Sequence, residues 1–286
     1  MHQDQQSSMH LKACNRIAAP VIKQRLQAIS GRVGETHSKL IEDCFRRGDS
    51  FELDPTILCR RLLRLNMAAI HTTSISITNV LLDLYTLPDA SVVVEGLRGE
   101  CKRVLSAHEG VWSKAAIGEL HRVDSTIKES MRLRSFGLIG TNRVVTYENS
   151  IRFGDGTPIP AGVRIATPID AIYRNSQFYR APDDFYTFRF SEQIETKVTL
   201  VLTKKHHDTC GDSAAGGILA NREHALVTTS DTFLVFGYGR HEMKLMLAHV
   251  VMHYDLRIEG PRPKNTDLGI ASLPSQKVKI QIRKIV

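Results

Sequence analysis

At 286 residues, with 42% hydrophobic and 24% charged residues, the chain has an ordinary globular composition and enough length to bury one or two cores. No apolar run approaches the roughly 20 residues a bilayer-spanning helix needs, and the polar start, Met1 to Ser8, is not a signal peptide. Lys and Arg outnumber Asp and Glu 38 to 30, a net charge of +8, without a basic stripe interleaved with aromatics. A solvated basic surface is therefore expected, and nucleic-acid binding is not.

The pattern is helical to about residue 134. Residues 11–48 carry helical spacing, with Pro20 placed to open a helix and Gly31, Gly34 and Gly48 as breaks. Asp54-Pro55 starts the strongest helix, whose inner side is Leu63, Met67, Ile70, Ser74, Ile77, Leu81 and Leu84; Leu87-Pro88-Asp89 ends it. A second face carries Leu65, Ala69, Thr72, Ser76 and Asn79. Such small and polar side chains allow either a packed helix or a flat ligand to approach. Val92 to His108 is the next helix, and residues 115–134 another, with Ala116, Leu120, Val123, Ile127 and Met131 on one face.

From Arg143 the period shortens. Val144 to Tyr147, Ile151 to Phe153, and Val163 to Ala166 read as strands, with a Gly154-Asp155-Gly156 turn. Residues 203–222 are a polar loop, Glu242 to Tyr254 a short apolar helix, and Lys277 to Arg283 a half-buried strand. The five cysteines, Cys14, Cys44, Cys59, Cys101 and Cys210, are scattered and odd in number, which fits free thiols in a reducing, intracellular compartment. His206, His207 and Cys210 lack a second ligand pair, so no zinc site is expected. No phosphate loop, dinucleotide fingerprint or Ser-His-Asp set is present.

Four segments, in order, resemble the cytochrome P450 (haem-thiolate monooxygenase) family of the fungal secondary-metabolism type. Ala68-Ala69-Ile70-His71-Thr72-Thr73 resembles its oxygen-activation motif. Glu129-Ser130-Met131-Arg132 resembles its Glu-x-x-Arg helix. Pro182 to Phe190 resembles the meander that supplies a further arginine, and Phe236-Gly237-Tyr238-Gly239-Arg240-His241 the start of its haem loop. The resemblance implies the C-terminal half of the cytochrome P450 fold, mainly α with a small antiparallel β-sheet, as a single partial domain over residues 1–286. It implies that Thr72 serves oxygen activation, with His71 replacing the usual relay acid, a residue able to titrate near neutrality. Glu129, Arg132 and Arg189 would form a structural triad. Phe236, Gly237, Gly239, Arg240 and His241 would shape the haem loop. Ala69, Ser135, Phe136, Gly137, Leu138 and Ile139 would line the substrate side.

Two departures bear on activity. The family's N-terminal half, with its endoplasmic-reticulum anchor, has no counterpart in the sequence. The haem loop is interrupted between His241 and Glu242, and the axial cysteine never arrives: Met243 stands where the family has it. A thiolate ligand donates electron density to iron and favours O–O cleavage. The intact family uses haem, a small lipophilic substrate, O2 and an NADPH-dependent flavoprotein reductase. For this chain the expectation is a fragment or degenerate form with no or weak haem binding and no turnover. Two alternatives stay open: an active haem protein with a substitute ligand, His241 being the nearest, or a non-catalytic partner-binding module with a basic surface. The sequence leaves the oligomeric state unassigned.

Overall fold

The computed structural model describes residues 12–13, 15–24, 26–27, 54–146, 151–192, 230, 233–234 and 240–285. Cys14, Gly31, Gly34, Cys44, Gly48, Tyr147, the 203–222 loop with His206, His207 and Cys210, and Phe236 to Gly239 lie outside the described residues. The chain divides into two compact units, Met1–His71 and Thr72–Val286.

In the N-terminal unit, residues 15–24 are helical, and the helix runs through Pro20 instead of starting there. Good helix formers on both sides, Ala18 and Ala19 among them, sustain it across the one amide proton that proline cannot donate. Helix α1 (Pro55–Asn66) begins where Asp54 caps it: Asp54 Oδ1 accepts from the amides of Thr56 at 2.7 Å and Ile57 at 3.1 Å, with proline at the first helical position. Ile22, Leu58 and Cys59 form a small buried cluster. A π-helical turn, Met67–His71, follows α1. Here the expected inner face fails. Met67 is 68% and Ile70 58% exposed, because the wider π turn resets the angular register and the apolar spacing no longer follows one side.

The C-terminal unit begins with α2 (Thr72–Tyr85), followed by α3 (Ala90–Ala107), α4 (Lys114–Gly118) and α5 (His121–Leu133). Ile77, Val80 and Leu84 of α2 enter a core shared with Leu97, Val123 and Ile127. The single helix expected over 115–134 is two. Ser113 Oγ caps α4 through the Ala116 amide at 3.1 Å. Glu100, reaching across from α3, accepts from the amides of Arg122 at 2.9 Å and Val123 at 3.0 Å. A buried carboxylate on the first-turn amides opens α5 as a capping side chain would. Glu100→Ala is expected to cost about 1–2 kcal/mol, read as a lower urea midpoint; an unchanged midpoint would remove Glu100 from the account of the α4–α5 break.

Short antiparallel pairs follow. β1 (Gly140–Val144) pairs with β4 (Arg164–Thr167), and β2 (Ile151–Arg152) with β3 (Pro158–Ile159). β1 therefore starts earlier than the Val144–Tyr147 run suggested, although Val145 still donates to the Val163 carbonyl at 3.0 Å. The β2–β3 turn needs Gly156 at φ +87°, which glycine adopts without strain. After α6 (Ile169–Tyr173), α7 (Arg240–His253) packs on α3 and α5. Arg240 and His241, expected in a loop, thus occupy the first turn of a helix. β5 (Tyr254–Ile258) pairs with β8 (Ile280–Lys284), and β6 (Thr266–Leu268) with β7 (Ala271–Leu273). Val278 and Ile280 are partly buried against the core while Lys277, Lys279 and Gln281 are exposed, so the half-buried alternation expected there holds as far as Gln281. It fails at Ile282, 64% exposed, where the two-stranded ribbon leaves both faces in water.

Candidate functional site

The first turns of α2 and the segment leaving α5 meet around a cavity of about 260 Å³. Thr72 and Ser76 contribute hydroxyls from α2. Met131, Arg134, Ser135, Phe136, Gly137, Ile139, Gly140 and Thr141 supply much of the remaining wall, with Ile169 and Leu234. Four of the five residues expected after the Glu-x-x-Arg helix line it. Leu138 does not: its backbone is spent on Ile270 O at 2.9 Å and on accepting from the Asp170 amide at 3.2 Å. Thr141 has φ +49°, an outlier for a β-branched residue and the kind of local strain that clusters at ligand sites. Ala69 and His71 lie in the π turn of the N-terminal unit and are exposed. A π turn at this point in a helix is itself a feature frequent at functional sites.

Asn79, on the same polar face, has another task. Its Oδ1 accepts from Arg262 at 2.8 Å, one turn below Ser76. Arg262 also donates to Asp83, whose side chain is 1% exposed and which receives Arg134 Nε at 3.2 Å and Ser130 Oγ at 2.6 Å. This Asp83 cluster escaped the sequence reading. The available signal was a single carboxylate inside the apolar run Leu81-Leu82-Asp83-Leu84, since a buried charge requires a partner.

On the other side of α5, Glu129, Arg132 and Arg189 come together. Glu129 and Arg132 are fully buried. Arg132 Nε donates to Glu129 Oε2 at 2.8 Å and its Nη2 to Oε1 at 2.9 Å, a bidentate pair. Arg189 Nε reaches Oε1 at 2.9 Å, and the Tyr186 amide does so at 3.1 Å. The remaining guanidinium hydrogens hold backbone: Arg132 takes Tyr173 O at 2.6 Å and Pro182 O at 2.7 Å, and Arg189 takes Arg180 O at 2.5 Å and Ala181 O at 3.2 Å. One carboxylate thus fastens two arginines that clamp the 180–184 backbone onto α5. Lys128, on the same helix, lies 4.5 Å from the Phe190 ring centroid and 4.4 Å from that of Phe233, cation–π distances that further tie this segment to α5.

The sequence model of the cytochrome P450 family matches residues 2–211. The chain belongs to the cytochrome P450 family. It is 35% identical over 302 residues to the cytochrome P450 monooxygenase gloP of Glarea lozoyensis, covering 96% of this chain and 53% of the relative. It is 37% identical over 281 residues to the cytochrome P450 monooxygenase htyF of Aspergillus rugulosus, covering 90% of this chain and 39% of the relative. A crystal structure of another cytochrome P450 superposes with TM-score 0.66 at 16% identity, over 99% of this chain and 58% of that one. The fold is thus the mainly α cytochrome P450 fold. The chain spans about half the length of the curated relatives it matches.

The family's haem needs a thiolate on iron. The sequence holds no cysteine beyond Cys210, so none lies between Phe236 and α7. Cys59 and Cys101 are buried. Burial pushes the Cys101 thiol up to about 12, helped by the neighbouring Glu100 carboxylate, so it stays protonated and unreactive near neutrality. The stretch from Phe236 into α7 therefore supplies no thiolate for a haem. Arg240 and His241 are the haem-loop candidates that the described residues include, and both belong to α7. Among the described residues no helix is long and apolar enough to cross a membrane.

Proposed function

We propose that this chain is a degenerate form of a fungal haem-thiolate monooxygenase of secondary metabolism, keeping the small-molecule pocket and buried scaffold without the ligand for the family's oxygen chemistry. In its intact form such an enzyme would insert one atom of O2 into a lipophilic molecule, with electrons from an NADPH-dependent flavoprotein reductase. The observation that carries the pocket reading is the cavity shared by Thr72 and Ser76 with the 135–141 segment. In that form Thr72 would present a proton-delivering hydroxyl over the pocket, with His71 in place of the relay acid. Ser135, Phe136, Gly137 and Ile139 would shape the substrate side. Glu129, Arg132 and Arg189 would act on folding, not on chemistry.

The missing cysteine carries the prediction of inactivity. The reduced, CO-exposed protein is expected to lack the red-shifted Soret band of a thiolate haem; such a band from this chain would sink the proposal. A second reading rests on His241, partly buried in the first turn of α7, since imidazole also ligates haem iron. An imidazole-type spectrum abolished by His241→Ala would favour it. A haem-free, folded chain that binds a reductase saturably would instead point to a partner-binding module.

A further inference from the structure

We propose that the cavity beside Thr72 selects a small apolar molecule carrying one carboxylate, and that Arg134 is the group that pairs with it. This rests on the reading of that cavity as a ligand pocket. Among its described lining residues Arg134 is the single charged side chain; the rest are apolar, glycine or hydroxyl-bearing.

The charge balance behind Arg134 is uneven. Asp83 is the acid that receives both Arg134 and Arg262, so two guanidinium charges face one carboxylate and the group keeps a formal +1. The two arginines are not equivalent. Arg262, 12% exposed, also donates to Asn79 Oδ1 at 2.8 Å, Pro263 O at 2.6 Å and Asn265 Oδ1 at 3.1 Å. Its donors are spent on the protein. Arg134, 25% exposed, makes one contact to Asp83 through Nε at 3.2 Å, and among the described residues Asp83 is its hydrogen-bond acceptor. The uncompensated charge therefore lies on the arginine that borders the cavity. Burial holds the basicity of Arg262 down, and Arg134 lowers it further against the opposing pull of Asp83, as expected where positive charge is in excess.

An anion in the cavity would meet that excess at close range and low polarity. A carboxylate suits it better than a neutral acceptor, because the planar guanidinium offers parallel donors to two oxygens. The rest of the wall, Met131, Phe136, Ile139, Ile169 and Leu234, suits an apolar body. A cavity volume of about 260 Å³ leaves room for a body the size of a bicyclic ring system.

Calorimetric titration with naphthalene-2-carboxylate and its neutral counterpart naphthalene-2-carboxamide tests this on the full chain. The carboxylate is expected to bind roughly tenfold tighter, the discrimination a charge-assisted hydrogen bond supplies. Arg134→Gln is expected to abolish the preference while leaving carboxamide affinity within about twofold, and Arg134→Lys to retain part of it. Arg262 stays on Asp83 in both variants, so the buried acid keeps a partner. Equal affinities in the wild type, or a preference that survives Arg134→Gln, overturn the carboxylate assignment and leave the pocket reading standing. Binding of neither probe overturns both.

Discussion

Arg132→Ala is expected to lower the stability of the folded protein by about 3–5 kcal/mol, the cost of removing one member of a fully buried ion pair. Glu129 and Arg132 are both 0% exposed. The substitution leaves Glu129 with Arg189, itself 9% exposed, and removes the donors that hold Tyr173 O and Pro182 O. A buried carbonyl, that of Tyr173, and a partly buried one, that of Pro182, then lose this donor, a further penalty. Urea unfolding beside wild type measures it, and Arg132→Lys sharpens the result. Lysine preserves charge but cannot make the bidentate pair and reach the backbone carbonyls at the same time, so it too is expected to destabilise. Indistinguishable midpoints for wild type and Arg132→Ala would show that the triad does not contribute to folding. The effect on ligand binding should be secondary, because none of the three residues borders the cavity.

The parts of this fold that rest on local chemistry were legible. Asp54-Pro55 announces a capped helix start, and the cap is there. Glu129 and Arg132, three residues apart on a helix, had to be neighbours, although spacing alone made them an exposed pair of little consequence. Their burial depends on Arg189, 60 residues further on, and only the family resemblance reached that far. The α4–α5 break was not legible, because the group that causes it, Glu100, sits on another helix. The ribbon of β5 and β8 joins Tyr254 to Lys284, a pairing no local pattern encodes. At the site, the polar face of α2 was visible in the spacing of Thr72, Ser76 and Asn79. Its division was not: Thr72 and Ser76 face the cavity, while Asn79 serves Arg262. Arg134 passed as one more basic residue in a basic chain, since what distinguishes it is the buried carboxylate 51 residues earlier.

Lys244→Met is the second substitution expected to act strongly, again by about 3–5 kcal/mol. Lys244 is buried in the first turns of α7, where the haem loop of the family would lead into its helix. Its Nζ lies 2.6 Å from Asp124 Oδ1 of α5 and 3.2 Å from the Ile117 carbonyl of α4. Side-chain exposures of 1% and 8% mean that neither charge finds water if the other is lost. The amide-rich start of α5 also lies close by, with Glu100 on its first turn, so a lone Asp124 would face a second buried acid. Burial, ahead of Lys244 itself, holds the neighbouring His121 below its usual range, and that histidine therefore offers Asp124 little positive charge near neutrality. The double variant Lys244→Met/Asp124→Leu separates two accounts of the pair. If the ion pair mainly compensates its own desolvation, the double variant recovers most of the loss, because apolar residues of similar volume replace buried pairs at little net cost. If Lys244 instead fixes the seating of α7, the double variant stays as unstable as the single one, since the bond to the Ile117 carbonyl is missing in both. Urea midpoints of the three proteins decide between them. A Lys244→Met protein as stable as wild type would mean that α7 is held by Met243, Leu247 and Val251 in the core and that the pair adds nothing.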